Sequence, residues 1–133
     1  MINFTDYLYD VVSGVLTSTY YPSEEVFLED IEKVAPLVRD GILLVFIPGD
    51  STIETFTVGL SKADHEAIIY IIYSGLNDDT AFYTTLSTLQ STIRNSLAPS
   101  ITHTSLDSVE SRVKIKNALS YRRLIARGRE VFS

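Results

Sequence analysis

Two histidines and a few paired carboxylates are the residues of this chain with chemistry to offer. His65 sits in Asp64-His65-Glu66. A helical zinc site of the His-Glu-x-x-His kind needs a second imidazole one turn on, and position 69 is Ile69. His103 precedes Asp107 by four residues, which shares a face only if a helix begins before His103, and two ligands without a third do not hold a metal. The pairs Asp78/Asp79 and Asp64/Glu66 fall where helices are expected to start, so capping accounts for them without acid-base work. The six glycines form neither a phosphate-cradling loop nor a dinucleotide fingerprint, and no Gly-x-Ser-x-Gly elbow frames a serine. There is no cysteine for a thiolate ligand, nucleophile or disulfide. The sequence therefore assigns no catalytic, cofactor-binding or metal-binding residue. An enzyme here would need a fold that gathers His65 or His103 with two acids.

Charge is the stronger signal. Arg112 to Ser133 hold seven basic residues against one acid, a net +6, whereas residues 1–111 hold four basic residues and 16 acids, a net −12. An acidic body with a basic end attracts a second copy of itself, and the overall charge of −6 argues against general nucleic-acid affinity. Asp107 with Glu110 predicts the cap of a last helix over residues 107–130. On it Arg112, Lys116, Arg123 and Arg127 fall within about 60° of one another, flanked by apolar edges that include Leu119 and Leu124. Such a helix suits contact with two neighbours, and Arg112, Lys116, Leu119, Arg123, Leu124 and Arg127 are its candidate partner-binding residues. Two other readings stand beside it: solvated cations favoured by a helix C-terminus, or a small regulatory module that holds nucleic acid through this helix.

The elements that would position these residues read mostly as helices. Phe4, Leu8, Val11, Val12, Val15 and Leu16 have helical spacing across residues 4–20. Ser23 followed by Glu24 and Glu25 starts a second helix carrying Phe27, Ile31, Val34 and Val38, which Pro36 should kink or divide. Residues 42–58 change character, and an extended loop or small β-hairpin is expected there, with Pro48-Gly49-Asp50 as turn chemistry. Ala63 to Leu76 is apolar on every side. Ser61 and Asp64 favour a central helix there, while the β-branched and aromatic run Ile68 to Tyr73 makes a buried strand the rival. Asn77, Asp78 and Asp79 open a helix with Phe82, Leu86, Leu89, Ile93 and Leu97, and residues 98–106 read as a polar loop. The expected fold class is mainly α, a single-domain bundle of about five helices spanning residues 1–133. The apolar runs are too short to span a bilayer, so a soluble chain is expected.

The order of these elements resembles the neck proteins of tailed bacteriophages. The likeness lies in a helix with Phe27, Leu28, Ile31 and Val34, an extended stretch ending in Phe56 to Leu60, then Leu60-Ser61-Lys62-Ala63-Asp64-His65-Glu66-Ala67-Ile68 through Leu76 as the start of a buried helix, and Asn117-Ala118-Leu119 as the packing of a late helix. It covers roughly residues 24–125. Pro36 and the Ser-Gly ending before Leu76 depart from the family's pattern. Membership implies a head-to-tail connector subunit without catalysis: a homo-oligomeric ring in the virion neck that meets portal and tail proteins, with DNA passing through its lumen. Before assembly it would lie free in the host cytoplasm, bound to no membrane and reading no nucleic-acid sequence.

Overall fold

The run Ile68 to Tyr73 is a strand, and its position decides the architecture. In the computed structural model, which describes residues 1–38, 41–74, 79–96, 100–115 and 119–132, strands account for 47% of the described residues and helices for 31%, overturning the mainly α bundle. The elements run α1 (Phe4–Ser13), β1 (Ser18–Tyr20), α2 (Glu24–Glu29), two short 3₁₀ turns (Ile31–Lys33 and Ala35–Leu37), β2 (Ile42–Thr57), β3 (Leu60–Ser74), α3 (Thr80–Asn95), β4 (Ile101–Asp107), β5 (Val113–Lys114) and β6 (Leu119–Phe132). They build one six-stranded sheet in the order β1-β2-β3-β6-β4, with β5 also on β6. Among the described residues only the β1–β2 pairing is parallel.

β3 is central, and side chains on a strand alternate between faces. Ile69, Ile71 and Tyr73 enter one core with Leu44, Phe46, Leu124 and Ala126, closed by Phe4, Leu8 and Val12 of α1 and by Phe82, Leu89 and Ile93 of α3. Tyr70 and Ile72 enter a second core with Leu43, Val45 and Ile47, closed by Phe27 of α2 and by Val34. A strand covered on both faces reads as a continuous apolar run, the same signature as a buried helix. The β-branched residues fit the pleat better than a helix, and burial of each contributes about 2 kcal/mol.

Several boundaries also move. Helix α1 begins at its cap, where Asn3 accepts from the Asp6 N–H, but it stops at Ser13 and the chain reaches β1. Ser23 caps α2 as expected, its Oγ accepting from Val26 N, and Pro36 falls in the second 3₁₀ turn, so the helix is divided. The turn of the β2–β3 hairpin lies at Val58-Gly59, where Gly59 takes a φ of 77°. Pro48-Gly49-Asp50 is instead a register shift within β2. Helix α3 matches its apolar stripe, although Leu97, Asn77 and Asp78 lie outside the described residues. Residues 101–107 are β4 rather than a polar loop.

The largest correction concerns residues 107–130. No helix forms there among the described residues: the segment holds the end of β4, the short β5 and most of β6. Arg123, Arg127 and Arg129 alternate with Leu124, Ala126 and Gly128, a period of two that separates faces of a strand.

Gly128 fixes how α1 meets the sheet. It is buried beneath the Phe4 ring, and a β-carbon there would overlap the ring edge. Gly128→Ala therefore lifts Phe4 and should cost about 2 kcal/mol of unfolding free energy, by analogy with overpacked cores. Urea denaturation of the purified variant measures it, and an unchanged midpoint would remove Phe4 docking from this account.

Candidate functional site

The second face of the sheet is covered only at one end. Beyond Ile47 no helix among the described residues lies on it, and the strands present Thr52 and Glu54 from β2, Lys62, Asp64 and Glu66 from β3, Arg127 and Arg129 from β6, and His103, Ser105 and Asp107 from β4. All of these except Glu54 and Lys62 line, with Asp50, much of a cleft of about 460 Å³. The cleft gathers both histidines with four acids, the condition set for an unannounced enzyme. His65, however, has its ring on the opposite face, stacked on Phe4 with centroids 5.5 Å apart.

The acids and bases of the open face neutralise one another across strands. Asp64 stands directly opposite Arg129, Glu66 opposite Arg127 and Glu54 opposite Lys62. The ion pairs measure 3.0 Å for Arg129–Asp64, 3.2 Å for Arg127–Glu66, 3.5 Å for Arg127–Asp107 and 3.5 Å for Lys62–Glu54. The Arg129 guanidinium holds the Asp64 carboxyl below its usual range. Exposed pairs of this kind contribute little energy, but they penalise a slipped register, because a shift sets like charges opposite each other.

The other cations tie helices to the sheet. Arg123 bonds Glu24 in the first turn of α2 and lies 3.2 Å from Glu110, while the Tyr70 hydroxyl donates to Glu24 at 2.8 Å. Glu24 is held below its ordinary value, chiefly by Arg123, and burial pushes the Tyr70 phenol up. On the first face Arg122 reaches Asp79 at 2.6 Å and lies 4.8 Å over the Phe82 ring, and Tyr73 donates to the same carboxylate at 2.8 Å. Asp79 occupies the cap position of α3 but caps nothing with its side chain. Its carboxyl is held down by Tyr73 first and then by Arg122.

The five described members of the six candidate partner-binding residues thus do not share a surface. Arg112 lies 3.5 Å from Asp79, Arg123 and Arg127 are paired on the second face, and Leu119 and Leu124 are buried in different cores. Lys116 is outside the described residues.

Sequence reading missed a buried polar line beneath α1. Ser51, His65 and Glu130 come from β2, β3 and β6 on one face. Ser51 Oγ lies 2.7 Å from His65 Nδ1, and His65 Nε2 lies 2.9 Å from Glu130 Oε1. The Ile2 N–H donates to both Glu130 oxygens at 3.2 Å. The His65 and Glu130 side chains are 1% and 3% exposed, which leaves the carboxylate dependent on these donors. The connectivity is that by which an imidazole can draw a proton from a hydroxyl, and here the same bonds hold the N-terminal segment to the sheet. An acid at position 130 amid basic residues was its only trace in the sequence.

Two outcomes follow from these networks. Glu130→Ala orphans the Ile2 and His65 donors and should cost about 3 kcal/mol in urea denaturation, with faster amide exchange at residues 2–8; unchanged exchange there would sink the tether. Carboxylates held below their unfolded values lend stability that is whole above the ordinary carboxylate range and lost as pH falls through the depressed values. Unfolding free energy should therefore drop on acidification below about pH 4. Glu24→Gln should shrink that acid-side drop, and a drop of undiminished size would remove Glu24 from it.

No protein-family model matches the chain, and no curated protein sequence matches it significantly.

Proposed function

We propose that this chain is a structural subunit that assembles with copies of itself into a ring, as the head-to-tail connector of a tailed bacteriophage. The observation that carries the assembly is the far end of the sheet. There the β2–β3 hairpin runs past the layers that cover the rest, with Ile53 55% exposed and Val58 fully exposed. A hairpin tip is marginally stable in water by itself, and apolar side chains on it gain from a neighbour. Beyond β1, whose pairing with β2 ends at Phe46, the outer edge of β2 offers unpaired backbone groups among the described residues.

The sequence resemblance supplies the setting: the virion neck, portal and tail proteins as neighbours, and no catalysis. Its main stretch, Leu60 to Leu76, resembles the start of a buried helix in that family, whereas Leu60–Ser74 is β3, so this stretch no longer supports the setting. The nucleic-acid alternative loses its support, since the basic helix is absent and Arg123 and Arg127 face acids of their own chain.

Light scattering over a range of concentrations should give a mass several times 14.9 kDa. Because the charges pair within the chain, assembly should survive about 0.5 M salt, where exposed attractions are screened. Replacing Ile53 and Val58 together with Asp should return a folded monomer. A wild-type protein that stays monomeric, alone and with a portal partner, overturns the proposal.

A further inference from the structure

Both ends of the strand order β1-β2-β3-β6-β4 are open at the uncovered end of the sheet. The outer edge of β2 is free beyond Phe46, and β4 has a strand on one side only among the described residues. The registers place the two edges at the same height: Thr52 pairs with Asp64, Asp64 with Arg129, and Arg129 with His103. β2 and β4 also run in opposite directions, because β2 opposes β3, β3 opposes β6 and β6 opposes β4. A copy related by rotation about an axis along the strands therefore brings its β4 to this β2 in antiparallel orientation.

We propose that the partner of the β2 edge is the β4 edge of a second copy, so that the sheet continues from subunit to subunit, with Thr52 beside the neighbour's His103. This rests on the self-assembly reading and specifies its contact. Charge disfavours the alternative pairing. The β2 edge carries Asp50 and Glu54, whereas Ile101 to Ser105 of β4 hold no acid. Joining two β2 edges would set Glu54 and Asp50 against their own kind. A heterologous contact of this type propagates until rotation closes it into a ring, whereas paired β2 edges would stop at a dimer.

The chain has no cysteine, so introduced ones report cleanly. Thr52 and His103 are both exposed, and within one subunit they lie three strand spacings apart, about 14 Å, beyond disulfide reach. Oxidised Thr52→Cys/His103→Cys protein should run as a ladder of dimers, trimers and higher species without reductant, while either single variant stays uncrosslinked. A Glu54→Cys/His103→Cys pair tests the register two residues along, and a ladder from either double variant supports the contact. Crosslinked dimers from Thr52→Cys alone would overturn it in favour of paired β2 edges. Absence of a ladder from both double variants, in protein that light scattering shows to be assembled and urea melts show to be folded, overturns this contact and leaves the assembly reading standing. Monomers throughout overturn both.

Discussion

A strand that is apolar on both faces must be covered twice, and the rest of this structure follows from covering β3. Ile69, Ile71 and Tyr73 need one layer, which α1 and α3 supply, and Tyr70 and Ile72 need another, which α2 and the 3₁₀ turns supply. The second layer is short: α2 has six residues, and the hairpin that β3 shares with β2 runs far past it. The chain protects both faces of the apolar half of its sheet and leaves the second face of the other half in water. What lies on that second half is set by the need to be soluble there, and cross-strand ion pairs meet it.

The reversal of charge along the sequence takes a different meaning in this light. An acidic first part and a basic last part imply attraction between copies only if they are apart within one copy. Antiparallel pairing of β3 with β6 puts them side by side instead, so Asp64, Glu66 and Glu24 take up Arg129, Arg127 and Arg123 internally. The charge pattern works as a register device in the fold. What remains for a neighbour is backbone and apolar surface at the edge.

Legibility in the sequence was uneven for physical reasons. The start of α2 was readable because capping is local, Ser23 acting within three residues, and the stripe of α3 needs no partner to be seen. The class of β3 was not, because full burial erases the alternation that marks a strand, leaving only the β-branched composition to favour it. β6 misled differently. The spacing from Arg112 to Arg127, which runs into it, also fits a helix face, and Asp107 and Glu110 imitate a capping box, whereas the alternation of Arg127 and Arg129 with Ala126 and Gly128 was the better sign. The line of Ser51, His65 and Glu130 was illegible, since residues 14 and 65 positions apart meet only once the strand order exists.

That strand order has a consequence for how the molecule comes into being. β6 sits between β3 and β4, yet it is made after both, and β4 and β5 have no other strand to join among the described residues. On a ribosome, β3 would emerge with β2 on one edge and its other edge bare, carrying one of the most apolar runs of the chain, until β6 arrives to fill the gap. Folding by insertion into the middle of a sheet depends on contacts distant in sequence and is slow by nature. During that wait the unfilled edge is the surface at which a nascent chain would pair wrongly or be held by a chaperone.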